Sequence, residues 1–266
     1  MDLCVFSKRL QKMDFPELAV GLRAAGFDGV DLTVRPGGHV EPGNVREALP
    51  RAVEALGAGG VGVRMISSSV TDIGAPHARD VLETAAAAGV RWIKLGYWRY
   101  EGFGTLRRTM EEAGSRLRDL AGAAKDLGVF LGCHNHSGEF VGAHLAHLGR
   151  LVEPLDPEAV GVYFDPAHAV LEGGRRGWLQ ALDGVADRVR MLALKDFLVL
   201  PGGELECVPM GEGAIPWAEV VAALAEIAGQ LGPVSVHTEK AQPAADALRL
   251  AAADRNAFLS LCEATS

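Results

Sequence analysis

Residues 129–139 read Val-Phe-Leu-Gly-Cys-His-Asn-His-Ser-Gly-Glu, an apolar run leading directly into imidazole, amide and carboxylate groups. Such a run, bounded by turn residues, is the pattern of a strand buried on both faces. Gly128 stands just before it, and residues 106–127 carry the spacing of an amphipathic helix, for which Gly128 is the C-terminal stop. Helix, glycine, apolar strand and polar strand end make one repeating unit. Outward from it, similar apolar runs fall at 3–6, 29–32, 61–66, 92–96, 160–164, 189–194 and 234–237. Helix-like stretches fall at 15–25, 45–56, 78–88, 217–228 and 244–262, with Gly26 and Gly89 repeating the role of Gly128. Strand starts recur roughly every thirty residues, the length of a βα unit. Eight such units predict an α/β fold, a closed (β/α)8 TIM barrel, as one domain over residues 1–266. Gly57-Ala-Gly-Gly60 precedes a strand instead of following one, which makes it a helix-to-strand turn and not a dinucleotide fingerprint.

Composition narrows the function. The 266 residues are 48% hydrophobic and 23% charged, enough for a large core. Lys and Arg number 26 against 34 Asp and Glu, a net charge of −8, which disfavours nucleic acid and anionic membranes as partners. The four cysteines, Cys4, Cys133, Cys207 and Cys262, show neither CxxC nor zinc-knuckle spacing. With no signal-like apolar stretch at the start, the expectation is a reduced, cytoplasmic protein.

Active sites of such barrels lie at the carboxyl ends of the strands. The residues expected there are Asp31 to His39, Ser67-Ser-Ser69, Tyr97-Trp98, His134-Asn-His136-Ser-Gly-Glu139, Asp165-Pro-Ala-His168, Lys195-Asp196 and His237-Thr-Glu239-Lys240. A single histidine at a strand end is usually structural, but several strands converge here. Imidazoles and carboxylates are ligands for Mn2+, Mg2+, Co2+ or Zn2+, and they are also the usual proton-transfer groups. Arg35 with Gly37-Gly38 suggests an anion site or simply a solvated turn, Trp98 suggests stacking on a sugar face or core packing, and Gly211-Glu-Gly213 suggests a lid or a turn.

At these residues the chain resembles the sugar phosphate isomerase/epimerase group of the xylose isomerase-like barrels, which includes tagatose and psicose 3-epimerases and inosose dehydratase. The matching pieces are Gly26-Phe-Asp-Gly-Val-Asp31, Gly132-Cys-His-Asn-His-Ser-Gly-Glu-Phe140, Phe164-Asp-Pro-Ala-His168, Leu194-Lys-Asp196, Val208-Pro-Met-Gly-Glu-Gly213 and Val236-His-Thr-Glu239. The resemblance implies a divalent metal held by a Glu, an Asp, a His and a second Glu. Asp165 and Glu239 match the Asp and the second Glu, whereas the first Glu falls on Cys133 and the metal His on Ala193. Either Glu139 or His134 fills the vacated place, or a three-ligand site binds metal weakly, or the metal is lost; the metal set carried forward is Asp165, Glu239 and Glu139. The implied chemistry is proton abstraction beside a carbonyl by Glu239 and Glu139, with His134 assisting; Lys195, in the barrel-facing register of Ala193, suggests either a charge for the enediolate oxygen or a rim lysine paired with Asp196 or a loop carbonyl. His136, His168, His237, Arg35 and Trp98 are expected to bind substrate.

The expected activity is therefore that of a sugar or polyol isomerase or epimerase. The alternatives are a dehydratase-type lyase on a keto-sugar or inosose, and a metal-free sugar-binding barrel without activity. An endonuclease IV-type hydrolase would need more metal ligands and a less acidic surface. Any homo-oligomer would have to form through the barrel's own outer helices.

Overall fold

The computed structural model describes residues 2–202, 204–239 and 242–265; Lys240, at the end of the eighth-strand motif, lies outside them. The eight predicted strands are all present, as β1 (Asp2–Phe6), β2 (Gly29–Val34), β3 (Gly62–Ser68), β4 (Trp92–Lys94), β5 (Phe130–His134), β6 (Val160–Phe164), β7 (Val189–Leu194) and, after two further short strands, β10 (Pro233–Val236). They form a closed barrel in the order β1-β10-β7-β6-β5-β4-β3-β2, each pair parallel. The two extra strands, β8 (Asp196–Val199) and β9 (Leu205–Val208), form an antiparallel hairpin outside the barrel.

Helices cover the barrel: α1 (Phe15–Ala24), α2 (Val45–Ala58), α3 (Ala78–Ala87), α4 (Leu106–Leu127), α5 (Leu145–Val152), α6 (Pro166–Asp183), α7 (Trp217–Ala225) and α8 (Ala244–Thr265). None of the described helices is long and apolar enough to cross a membrane. The capping chemistry is local: Asp14 and Glu17 form a reciprocal capping box at α1, and Gly128 ends α4 with a φ of +69°. The sequence reading places neither α5 nor α6. Gly174, with φ +62° inside α6, breaks the helical period there.

Two apolar layers result. One lies between strands and helices and contains Cys133, and the other fills the lower barrel with Cys4, Met65, Phe130, Tyr163, Met191 and Ala193. Gly132 belongs to the inner layer by absence, since a Cβ there would come within 2.5 Å of Met191 Sδ. Two register shifts bear on the site. The β2–β3 pairing skips Arg64 between Val30 and Asp31, and the β6–β7 pairing skips Arg190 between Val162 and Tyr163, so a bulge sits beside each of two inward polar residues, Asp31 and Tyr163.

The Gly211–Gly213 segment is a turn held by Asp196. The carboxylate of Asp196 accepts hydrogen bonds from the backbone N–H groups of Phe197, Gly211, Gly213 and Ile215 and from Trp217 Nε1, at 2.9 to 3.3 Å. Met210 N–H donates to Asp254 as well, at 2.8 Å. The segment between the hairpin and α7 is thus tied to the end of β7.

Candidate active site

The charged cluster is built around Asp165. This residue caps α6: its Oδ1 accepts from His168 N–H at 3.2 Å, and Pro166 fills the first helical position. Its backbone is clamped by Asn135, whose side-chain amide donates to the Asp165 carbonyl at 2.9 Å and accepts from its N–H at 2.7 Å. With Oδ1 and the main chain so fixed, Oδ2 faces the barrel mouth. There it meets Lys195 Nζ at 3.1 Å and His134 Nε2 at 3.3 Å. Burial alone would raise this carboxyl, but the Lys195 charge leads the influences that hold it well below the usual range.

The donors assign the tautomers. Lys195, as an ammonium, can only donate, so His168 Nε2 accepts its 2.7 Å hydrogen bond and the Nδ1–H of His168 faces Ser137 Oγ, also at 2.7 Å. His134 donates from Nε2 to Asp165 and accepts at Nδ1 from the Tyr97 hydroxyl at 2.7 Å. Burial pushes both imidazoles down to about 3, leaving them neutral. His136 joins by ring contact, its centroid 3.9 Å from that of His168. His237 stacks on Phe6 at 4.5 Å and pairs through Nε2 with the Tyr163 hydroxyl at 3.0 Å, while its buried Nδ1 has no hydrogen-bond partner. That Nδ1 lies 3.9 Å from Glu239 Oε1.

Glu239 accepts from Lys8 Nζ at 2.7 Å, and its backbone carbonyl accepts from Arg9. Burial raises this carboxyl, yet Lys195, His237 and Lys8 outweigh it and bring Glu239 down to about 2. Glu239 is thus fully ionised at neutral pH, and Lys8 and Arg9 are site residues that the sequence reading did not single out.

Below the mouth lies a second polar layer. Asp31 is wholly buried, accepts from Ser67 at 3.2 Å and Ser235 at 2.9 Å, and lies 4.0 Å from His237. Desolvation pushes it up to about 7. Lys94, 4% exposed, places its ammonium 3.7 Å from the Tyr97 ring centroid, and burial brings it down to about 7. The sequence held a signal for both: each is a lone charge inside an otherwise apolar strand.

Three expected roles need correction. Glu139 is exposed on the loop after β5, where its backbone carbonyl accepts from Tyr100 N–H, so it joins neither Asp165 nor Glu239. Trp98 is 7% exposed in the outer core and its indole N–H donates to the Thr71 carbonyl at 3.1 Å, so its ring is packing, and Tyr97 is the aromatic at the site. Arg35 does reach the mouth, 5.5 Å from the Phe6 ring, but Gly37 N–H donates to Glu41 and Gly38 N–H to the Arg35 carbonyl, so those groups form no anion cradle.

A divalent metal is the group implied by the family resemblance, and the donors do not fit it. Asp165 Oδ2 is engaged by an ammonium, Glu139 is elsewhere, and Ala193 is an apolar residue of the inner layer. Cys133 faces the helices, with its thiol pushed up to about 12 by burial. His134 stands in the inward position at the end of β5, but it is hydrogen-bonded on both ring nitrogens. Among the described residues no three His, Cys, Asp or Glu side chains are grouped to hold a metal ion.

Comparison with known proteins places the architecture. The model of the family described as xylose isomerase-like TIM barrel matches residues 21–257. Solved structures share the fold at low identity. The 3-keto-D-glucoside 4-epimerase YcjR from E. coli superposes with a TM-score of 0.73 at 17% identity, covering 98% of this chain and 100% of that one. The probable 3-DHS dehydratase AsbF from Bacillus anthracis gives 0.73 at 14%, covering 95% and 97%. The IOLI protein, with a bound zinc atom, gives 0.77 at 17%, covering 100% and 99%. No curated protein sequence matches.

Proposed function

Because this chain belongs to the xylose isomerase-like TIM barrel family, we propose that it is an enzyme acting on a sugar or polyol derivative by moving a proton on a carbon next to a carbonyl. The observation that carries this reading is the Lys195–Asp165 pair at the barrel mouth, 3.1 Å apart, with the ionised Glu239 and the unpartnered His237 Nδ1 beside it. The epimerase and dehydratase relatives supply the reaction class, and the residues supply the means.

Lys195 is held by Asp165 and His168 at the position suited to an oxygen that gains charge. An ammonium fixed by two partners needs little reorganisation when an enediolate forms. Glu239 is in its base form and takes the proton. Its low basicity in the free protein must rise when substrate displaces water and loosens Lys8, since a base works best with a pKa near the working pH. His237 replaces Glu139 as the second proton-handling group, with Nδ1 available to pass a proton to or from a substrate hydroxyl. His134, His136 and His168 are neutral and orient hydroxyls. Metal ions have no part in these steps, because Lys195 supplies the positive charge.

The test is proton exchange. Keto-sugars incubated with the protein in D2O, after dialysis against a chelator, are expected to gain deuterium beside the carbonyl, followed by NMR. Glu239→Gln is expected to abolish exchange with the fold unchanged by circular dichroism. Loss of water from the substrate would mark the lyase form of the same chemistry. Binding without exchange, or full activity in Glu239→Gln, would overturn the proposal.

A further inference from the structure

Charge at the mouth runs against charge on the molecule. The chain carries a net −8, yet the charged side chains gathered at the mouth are Lys8, Arg9, Arg35, Lys94 and Lys195 against Asp31, Asp165 and Glu239, while Asp196, at the end of β7, is turned to the segment before α7. Two of the cations are already matched: Lys195 by Asp165 and Lys8 by Glu239. Arg9 donates to the Glu239 carbonyl. Arg35 and Lys94 have no carboxylate within ion-pair distance among the described residues, and both rest instead on aromatic faces, Phe6 and Tyr97.

Lys94 is the telling member. Its strand register pairs it with Ser67 on one side and Gly132 on the other, and both neighbours point inward, Ser67 to Asp31 and Gly132 towards Met191. Adjacent residues in register share a face of the sheet, so Lys94 points into the barrel beside Gly132, where Met191 fills the place of a side chain. A lysine this deeply buried costs free energy unless something negative answers it. Arg35 rests on Phe6, which stacks on His237, and Lys94 rests on Tyr97, which bonds His134; the His134 and His237 rings lie 6.1 Å apart, so the two cations border one mouth, with Asp31 the carboxylate that acts on both.

We infer that the site takes an anionic sugar derivative, its negative group received between Arg35 and Lys94 while its carbonyl end lies against Lys195 and Glu239. This rests on the proton-transfer reading and adds the substrate's charge to it. A carboxylate suits the pair better than a phosphate does. Arg35 offers a planar fork and Lys94 a single ammonium, whereas phosphate sites usually recruit backbone N–H groups, and those of Gly37 and Gly38 are committed elsewhere.

The experiment is calorimetric titration of the whole protein with glucuronate, glucose 6-phosphate, glucose and inorganic phosphate. Glucuronate is expected to bind at least about tenfold more tightly than glucose, an advantage that shrinks with added salt. In Arg35→Gln and in Lys94→Gln the glucose-to-glucuronate ratio of Kd is expected to fall towards one. Arg35 lies on a loop, so its variant tests the idea even where Lys94→Gln fails to fold. Tighter binding of glucose 6-phosphate than of glucuronate would keep the anion site and move its ligand to a phosphate ester. Equal affinity for glucuronate and glucose, no saturation by either anion, a ratio that survives in Arg35→Gln, or inorganic phosphate competing as strongly as the sugar anions would overturn it. Deuterium exchange into a neutral keto-sugar with no preference for anions would sink this inference and leave the proton-transfer reading standing. Anion preference without exchange on any keto-sugar would do the reverse.

Discussion

Lys195 and Asp165 are buried partners whose worth shows only when one is removed. The ammonium lies 3.1 Å from Oδ2 and 2.7 Å from His168, and both side chains are almost wholly out of water. Breaking such a pair strands a charge, at a cost of about 3–5 kcal/mol, whereas removing both members costs far less. Lys195→Met is therefore expected to lower unfolding stability in urea by about that amount. Adding Asp165→Asn, which keeps the Oδ1 cap on His168 N–H, is expected to recover much of the loss, so the double variant is more stable than the sum of the singles implies. Strict additivity would mean that the two charges do not depend on each other, and the site would have to be rebuilt around another pair.

Among the elements, the strands were the most legible. A strand buried on both faces in a parallel barrel must be a short apolar run, and all eight runs became barrel strands within a few residues of their expected ends. The hairpin of β8 and β9 was not legible, because residues 196–208 mix charged and apolar side chains in an excursion that the barrel period does not govern. The site was legible where a residue sits on a strand or at its end, as His134, Asp165, Lys195 and His237 do. It failed at Glu139, where the loop after β5 carries the side chain out to solvent. Asp196 shows the same limit from the other side: its carboxylate gathers Phe197, Gly211, Gly213, Ile215 and Trp217, but sequence distance hides those partners. One substitution tests that organisation. A Cβ on Gly213 would stand 2.0 Å from Asp196 Oδ1, and the carboxylate cannot retreat without losing its donors. Gly213→Ala is expected to cost about 1–3 kcal/mol and to open the segment before α7 to limited proteolysis while leaving the barrel intact. Unchanged cleavage would mean that the segment is held by something other than Asp196.

For the whole molecule, the buried histidines convert the site into a pH dependence of stability. His134 and His168 are brought to about 3 by burial, His237 lies well below its ordinary value, and His39, His136 and His147 are lowered as well, again chiefly by burial. In the unfolded chain these rings titrate near the ordinary value of 6.5. Between that value and the folded one the unfolded chain binds protons that the native protein refuses. Stability therefore falls as pH drops through this window, by up to about 1.4 kcal/mol per pH unit for each ring. Asp31, raised to about 7, and Asp254, raised to about 6, act in the opposite sense: the stability they confer is present below the unfolded carboxyl value of 3.8 and is lost as pH rises through the folded ones. More rings than carboxyls are displaced, so the histidines prevail. Below about pH 4 the depressed carboxylates Asp165 and Glu239 add to the loss, because they contribute stability only while ionised. Denaturant melts are expected to show stability declining from pH 7 to pH 4 and declining further below it, with a shallower slope above pH 4 in His134→Asn. Stability that rises on acidification from pH 7 would mean that Asp31 and Asp254 outweigh the rings, and the neutral imidazoles assigned to the barrel mouth would then be wrong.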